Sequence, residues 1–326
     1  MRGWNDELRL PSGMRILVQS LHIYPANKGG PGGGRVFDVL VKGLAELGHE
    51  VIYYLEHDPL APLPSGVIHT NRPRWDADIF HIRSDSSLSD ELIRRRLPWV
   101  ATCHTDPAVW GRPRDVARDN WIYVSRNLSS TLNSERHVLN GIDPSEFIYS
   151  EEKDQYLLFV STLRLASKKG LAEAIAIAQA SHRKLLVAGS DPDPELVGQV
   201  RRQTERAGMT YLGEISGPQK AMLFAKASAI LFPTQINEAF GLVMAEALMS
   251  GTPVICSAEG ACPELITPDV GFVCTSREDY LQAVQRVNEI SPKKCRFRAM
   301  QEFHYLKMAR GYYNEYQKEL RVFKGA

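Results

Sequence analysis

Glu238 and Glu246 frame an apolar stretch, and their placement is the strongest indication of chemistry in this sequence. The spacing of apolar residues from about Gly241 predicts a helix, so Glu238 lies in the preceding loop and Glu246 within the helix. A carboxylate buried without a partner is costly. Either both acids belong to a capped amphipathic helix, with Glu246 on its wet face, or polar groups of a ligand meet them.

The start of this helix is itself a candidate binding site. The backbone amides of Phe240, Gly241 and Leu242 fall at its N-terminus, where amides lack partners within the helix and attract anionic or electron-rich oxygens. Gly241 leaves room for a ligand to approach the backbone closely. Carboxylates accept hydrogen bonds from sugar hydroxyls, which suits both glutamates.

Two cations follow an earlier predicted strand, Tyr156–Val160. Arg164 and Lys169 stand on one strand-to-helix loop, where arginine can grip a diphosphate through its planar fork and lysine adds a point charge. A solvated basic turn is the alternative interpretation.

The first half of the chain contributes a histidine and a glycine-rich loop. His104 comes directly after a predicted strand, where it could donate to a substrate hydroxyl or serve a structural role. The loop from Asn27 to Arg35 opens a helix and includes Gly33 and Gly34, so its backbone can approach phosphate or a glycosyl group. It lacks the G-x-G-x-x-G spacing of dinucleotide-binding loops, which leaves an NAD site only weakly supported by Glu56.

No metal site is predicted. The sequence Asp191-Pro192-Asp193 resembles a D-x-D metal motif, but Asp193 as a helix cap before Pro194 explains it without a metal. Five cysteines without C-x-x-C spacing argue against a zinc site or a disulfide framework and favour a reducing, cytoplasmic compartment.

Composition narrows the class of partner. A net charge of +1 gives no electrostatic case for nucleic acid, and no apolar run is long enough to span a membrane. The basic stretches 94–96 and 293–298 fit either an anionic membrane surface or solvated helix faces, and we favour the second interpretation. The oligomeric state is not predicted.

Apolar runs alternate with helical patterns nearly throughout, which predicts parallel sheets covered by helices on both faces. The predicted fold class is α/β, with two doubly wound, Rossmann-like domains facing a central cleft. Ligands of such sheets bind beyond the carboxyl ends of the strands. The polar stretch around residues 149–155 is the predicted linker. It separates a domain over residues 1–150, whose residues 1–13 form a loose extension, from a second over 151–308, followed by a helix over 309–326.

A long helix is expected from about Gly34 to Leu47. The predicted strands are Arg15–Ser20, Val51–Leu55, Asp78–Ile82, Trp99–Thr102, Trp121–Val124, His137–Leu139, Tyr156–Val160, Lys184–Ala188, Met209–Leu212, Ala229–Phe232, Val254–Cys256 and Gly271–Cys274.

Taken together, the motifs resemble the retaining nucleotide-sugar glycosyltransferases of family four, which have the GT-B fold. The resemblance covers almost the whole chain from Met14. It is carried, in chain order, by the glycine-rich first loop, Gly48-His49-Glu50-Val51, His104, Asn140-Gly141-Ile142-Asp143, Arg164, Lys169, Leu212-Gly213-Glu214, Pro233-Thr234, the two glutamates and Gly260-Ala261-Cys262-Pro263-Glu264.

The resemblance implies an enzyme that binds a nucleotide diphosphate sugar mainly through its second domain and an acceptor mainly through its first. The acceptor would be a sugar, a lipid-linked molecule or a small molecule. Ile215 would lie near the base, Glu246 would accept from the ribose hydroxyls, and His104 would touch the transferred sugar. Gly33 and Gly34 would approach the donor. The last helix would pack on the first domain.

The implied reaction is glycosyl transfer to an acceptor hydroxyl with retention and without a metal or other cofactor. Arg164 and Lys169 would stabilise the charge of the leaving diphosphate, and Glu238 would act near the transferred sugar. Lys168 competes with Lys169 for the place of the family lysine, and we favour Lys169 because it directly precedes Gly170. UDP-sugars are the broader expectation for the donor, with GDP-mannose as the alternative. A nucleotide-sugar epimerase or hydrolase on the same fold, or a nucleotide-sugar-binding protein without catalysis, are the rival hypotheses.

Overall fold

The computed structural model of the protein describes residues 13–26, 32–84, 86–114 and 118–325. The strands are β1 Arg15–Ser20, β2 Glu50–Leu55, β3 Val67–Thr70, β4 Ile79–Arg83, β5 Trp99–Cys103, β6 Trp121–Tyr123, β7 Tyr156–Val160, β8 Lys184–Ala188, β9 Thr210–Gly213, β10 Ala229–Phe232, β11 Val254–Ser257 and β12 Gly271–Cys274. The helices are α1 Gly32–Glu46, α2 Leu88–Arg95, α3 Arg126–Thr131, α4 Leu171–Ala180, α5 Pro194–Arg206, α6 Gly217–Lys226, α7 Leu242–Met249, α8 Cys262–Leu265, α9 Arg277–Arg286, α10 Pro292–Glu302 and α11 Tyr305–Gly325.

The chain forms two compact units. Unit 1 comprises residues 1–142 and 303–326, and unit 2 comprises residues 143–302. The sequence-predicted divisions were at 150/151 and 308/309. Within unit 1, the Ile142 amide donates to the Phe303 carbonyl at 2.8 Å, whereas within unit 2 the Asp154 amide donates to the Lys226 carbonyl at 2.7 Å. The polar stretch predicted as a linker therefore belongs to unit 2.

Each unit is built on one six-stranded sheet. The strand orders are β3-β2-β1-β4-β5-β6 and β12-β11-β10-β7-β8-β9, and all the strand pairs are parallel. The central strands, such as β1 and β10, are almost wholly buried because helices cover both faces. The α/β class with two parallel sheets, predicted from the alternating pattern, is confirmed.

Two elements differ from the sequence prediction. The segment His137–Leu139 is not a strand, because only His137 forms an isolated bridge, with Tyr123. Conversely, β3 was not predicted. It is a four-residue edge strand whose residues are all partly or fully exposed, so the sequence has no continuous apolar run there.

The final helix belongs to unit 1. Gly43 of α1 allows its close approach, since a Cβ at that position would lie 2.9 Å from the Cβ of Ala309. The Tyr305 hydroxyl donates to Glu46 at 2.7 Å. The helix starts at Tyr305, earlier than the predicted residue 309. Within the described parts of the chain, no helix is both long and apolar enough to cross a bilayer.

Candidate functional site

The loop from β10 to α7 determines where the two glutamates lie. Gly241 caps α7 with a φ of 85°, a left-handed conformation that glycine adopts without strain. Glu238 in the loop is 8% exposed and Glu246 in the helix is 2% exposed. The interpretation that Glu246 occupies a wet face is therefore wrong, and both acids need the polar partners that burial demands.

Lys169 is the partner of Glu238. Its ammonium forms an ion pair with Glu238 Oε2 and also lies 5.2 Å from the centre of the Phe232 ring. The side chains of Lys169 and Glu238 are only 14% and 10% exposed, so water screens this pair weakly. Of the two neighbouring lysines, Lys168 is exposed.

The backbone brings the two loops of this pair together at a glycine. Gly170, which caps α4 with a φ of 82°, packs so closely that a Cβ there would overlap the Pro233 carbonyl oxygen. The Gln235 amide donates to the Lys168 carbonyl at 2.9 Å. The α4 and α7 loops are thus joined directly beside Lys169 and Glu238.

A third loop fixes the backbone of Glu238. The Ala261 amide donates to the Glu238 carbonyl at 2.8 Å. A Cβ at Gly260, whose φ is 60°, would overlap the Glu238 backbone. The Gly260-Ala261 turn after β11 therefore allows no larger residue at position 260 without moving Glu238.

Arg164 stands on the same loop as Lys169, in a short 3-10 turn, Leu163–Leu165. Its side chain is 65% exposed and its Nη2 lies 3.3 Å from Asp191 Oδ1. Asp191 also accepts from the Asp193 amide, and Asp193 accepts from the Glu195 amide at 2.9 Å as the cap of α5. The predicted cap at Asp193 is confirmed. The residues that the structure describes contain no group of three His, Cys, Asp or Glu side chains placed to hold a metal.

Glu246 is held by a residue that sequence analysis missed. The ammonium of Lys220 on α6 lies 2.8 Å from Glu246 Oε1 and 2.7 Å from Oε2. Ile215, predicted to lie near a base, is 8% exposed and stands just before α6. No spacing rule connects residues 220 and 246, because their proximity depends on the packing of two helices.

The predicted residues of unit 1 form a separate group around the start of α1. A Cβ at Gly33 would lie 3.6 Å from the His104 ring, and one at Gly34 would lie 3.0 Å from the His22 ring. Phe37 packs on His104 with ring centroids 5.4 Å apart. Gly33 and Gly34 therefore lie between two histidines, of which sequence analysis identified one. The loop residues 27–31 lie outside the described parts of the chain.

A polar network supports the second histidine. His22 is hydrogen bonded to Ser20 and, at 2.8 Å, to Asp38. Asp38 also accepts from the Tyr53 hydroxyl at 2.7 Å and the Ala26 amide at 2.6 Å. This network fixes the chain just before the glycine-rich loop. His22 and Asp38 are 16 residues apart, and the sequence held no signal for their contact.

All five cysteines are buried, and no two of them form a disulfide. Burial raises the pKa of the Cys274 thiol to about 12, and a hydrogen bond with Cys262, together with burial, raises the pKa of the Cys256 thiol well above its usual value. These thiols remain protonated at neutral pH and are poor nucleophiles.

The chemistry available in unit 2 is recognition of an anion that also carries hydroxyls. Cations, first-turn amides and buried carboxylates all follow the carboxyl ends of parallel strands, where such sheets bind ligands. Arg164 and the amides at Gly241 suit phosphate oxygens. Glu238 and Glu246 suit donors such as hydroxyl groups.

Comparison with solved structures defines the fold as GT-B type. AviGT4, a glycosyltransferase involved in avilamycin A biosynthesis, is 23% identical and superimposes with a TM-score of 0.78, covering 95% of this chain and 98% of that one. HepE of Anabaena, solved in complex with UDP and glucose, is 16% identical with a TM-score of 0.69, covering 92% and 98%.

The family model for glycosyl transferases group 1 matches residues 144–301. The O-antigen chain mannosyltransferase B of Escherichia coli is 30% identical over 270 residues, which cover 68% of this chain and 69% of that protein. Three other curated relatives are matched over 36% to 46% of their own lengths. The chain belongs to the glycosyl transferases group 1 family.

Proposed function

We propose that this protein transfers a glycosyl group from a nucleoside diphosphate sugar to an acceptor hydroxyl, with retention at the anomeric carbon and without a metal. The observation that carries the proposal is the Lys169–Glu238 pair at the joined α4 and α7 loops. A buried cation and carboxylate beside two helix N-termini match a ligand that carries both phosphate and sugar hydroxyls.

In the proposed reaction, the bond from the anomeric carbon to the diphosphate oxygen breaks and a bond to the acceptor oxygen forms. The acceptor proton passes to the leaving phosphate on the same face. Arg164 and Lys169 stabilise the charge that develops on the diphosphate, which is how preorganised cations lower such barriers. Glu238 orients the transferred sugar.

The nucleoside would be bound by the second group of residues in unit 2. Glu246 accepts from the ribose hydroxyls, and Ile215 contacts the base. UDP is the favoured nucleotide, supported by the complex of HepE with UDP and glucose, while the mannosyltransferase relative keeps GDP-mannose as the alternative donor. The acceptor is a sugar, a lipid-linked molecule or another small molecule.

A thermal-shift panel of UDP, GDP and their sugar conjugates tests the proposal. A ligand that binds only the folded protein stabilises it according to its concentration over its dissociation constant. We expect one nucleotide-sugar class to raise the melting temperature clearly above the others. No shift with any nucleotide or nucleotide sugar would contradict the proposal.

Turnover then separates the rival activities. The preferred donor, incubated with candidate acceptors, should yield a glycoside with the donor's anomeric configuration, as measured by NMR of the anomeric proton. Epimerised nucleotide sugar formed without an acceptor would instead indicate an epimerase, and free sugar with nucleoside diphosphate would indicate a hydrolase. Binding without any product would indicate a non-catalytic binding protein.

A further inference from the structure

Glu246 is the most deeply buried acid among the ion pairs described in unit 2. Glu246 is 2% exposed and the Lys220 side chain 18% exposed. The ammonium contacts both carboxylate oxygens, at 2.8 and 2.7 Å. Such a two-oxygen contact fixes the plane of the carboxylate as well as its position.

Lys220 is held in place by its own helix. Its ammonium lies 5.4 Å from the centre of the Phe224 ring, one turn further along α6. α6 begins at Gly217, directly after Ser216 and the buried Ile215. One short segment therefore supplies both the residue expected at the base and the cation that meets Glu246.

Because Glu246 is buried, its ionised form needs the neighbouring charge of Lys220. An isolated buried carboxylate favours its neutral form, because the charged form loses solvation. A protonated carboxyl group donates one of its hydrogen bonds, whereas an ionised one only accepts, with about four lone-pair sites on its two oxygens. Lys220 contacts each oxygen once, at 2.8 and 2.7 Å, and so favours the ionised, accepting form.

We infer that Lys220 is a positioning residue for ribose recognition, which holds Glu246 ionised and oriented so that its carboxylate accepts from the two hydroxyls of the ribose of a nucleoside diphosphate. The inference rests on the proposed function, since it assigns the ribose site of that donor. A purely structural ion pair is the competing explanation, because buried pairs can often be replaced by apolar residues without loss of stability.

The discriminating experiment is calorimetric titration of the full chain with UDP and GDP and with their 2′,3′-dideoxy counterparts. The variants are Lys220→Met, Lys220→Arg, Glu246→Gln and the double variant Lys220→Met with Glu246→Gln. Lys226→Met is the matched control, because Lys226 ends the same helix and pairs with Glu152, whose side chain is 90% exposed. Removing such an exposed pair has little effect.

For the preferred nucleotide, the wild type should bind the ribose form roughly 10- to 100-fold more tightly than the dideoxy form, as hydrogen bonds to a charged acceptor imply. Lys220→Met should reduce that ratio to near one while leaving dideoxynucleotide affinity almost unchanged. Lys220→Arg should retain part of the preference for the ribose form, and Lys226→Met should retain all of it. The double variant should be no worse than Glu246→Gln alone, because both changes remove the same acceptor.

Equal losses for ribose and dideoxy forms in Lys220→Met would overturn the inference and assign a structural role. So would an unchanged ratio in that variant, or a wild type that does not distinguish the two forms. In each of these cases the wild type still binds nucleotide, and the proposed function stands. A wild type that binds neither UDP nor GDP would overturn both.

Discussion

Two groups of buried polar side chains, one in each unit, differ in kind. In unit 1, His81 is hydrogen bonded to Tyr316 at 2.7 Å and to Thr102 at 2.6 Å, and Thr102 also to Tyr312 at 2.9 Å. These groups are neutral hydrogen-bonding partners that connect β4 and β5 to the final helix. In unit 2, the buried polar groups of the candidate site are the ion pairs Lys169–Glu238 and Lys220–Glu246.

The neutral network around His81 is suited to stabilising the fold, whereas the two lysine–glutamate pairs are suited to meeting a ligand. A neutral network that satisfies its own hydrogen bonds rigidifies a core and needs nothing further. Buried ion pairs contribute little net stability, so we propose that the pairs that follow the carboxyl ends of strands serve ligand binding. Predictions for the two units therefore concern different quantities, stability in the first and ligand chemistry in the second.

The largest expected effect is acid destabilisation of unit 1. Burial, with a smaller contribution from His104, lowers the pKa of His81 to about 3. Since the unfolded chain binds a proton near pH 6.5 and the folded one does not, stability falls as the pH drops from about 6.5 to about 3. The slope from this one group is about 1.4 kcal/mol per pH unit, a total on the order of 4–5 kcal/mol.

Tryptophan fluorescence isolates this effect, because all five tryptophans precede residue 143 and therefore belong to unit 1. Urea unfolding followed by tryptophan fluorescence should give a free energy of unfolding that decreases as the pH drops from 6.5 to 4. The same free energy should decrease less steeply for His81→Gln. Parallel curves for the two proteins would show that His81 is not the buried neutral group responsible.

In unit 2, the next largest effect should be the loss of activity on removing either of the cations Arg164 and Lys169. Arg164→Ala or Lys169→Ala should cost ~2–4 kcal/mol of transition-state stabilisation, by analogy with the loss of a single preorganised donor. The exposed neighbour Lys168 provides the matched control, and Lys168→Ala should retain most of the activity. The measurement is kcat/KM with the preferred donor. Near-normal values for both alanine variants would refute the assignment.

Conservative changes to the glutamates should separate their roles. Glu238→Gln should lower kcat more than it weakens nucleotide binding, because Glu238 lies beside Lys169 at the helix start. Glu246→Gln should do the reverse. Each effect should amount to about 1.5–3 kcal/mol, the contribution of a hydrogen bond to a charged group. Steady-state kinetics with nucleotide titrations measures both, and identical patterns would show that this division of roles is wrong.

The smallest effect should follow removal of divalent metal. With cations of the protein stabilising the leaving group, dialysis against EDTA should leave turnover unchanged, and added Mg²⁺ or Mn²⁺ should not raise it. A loss of activity on chelation that returns on adding Mg²⁺ would contradict metal independence. Chelation and added metal should affect Lys168→Ala and the wild type in the same way.

Local pattern predicted most of the framework and the positions of the candidate residues. Buried strands such as β7 and β10 stand out because parallel strands covered on both faces are continuous apolar runs. The exposed edge strand β3 has no such run and was missed. The predicted strand His137–Leu139 was wrong, because His137 forms only an isolated bridge. A run of three residues is too short to indicate strand pairing.

The partners of the candidate residues could not be predicted in the same way. Lys220 meets Glu246, and His22 meets Asp38, only because separate elements pack together. Glu246 was open to a solvated interpretation because periodicity identifies a helix but does not show which helices cover it. Sequence spacing thus located the candidate residues, and tertiary packing determined which partners they meet.

Hydrogen–deuterium exchange of the full chain, with and without saturating UDP or GDP, tests the central claim most directly. The account predicts that the nucleotide slows exchange in the α4 loop, residues 164–171, and in the α7 segment, residues 238–246. The amides at these helix starts would be covered by the diphosphate. Binding that leaves both segments unprotected would contradict the assignment of the donor site to unit 2.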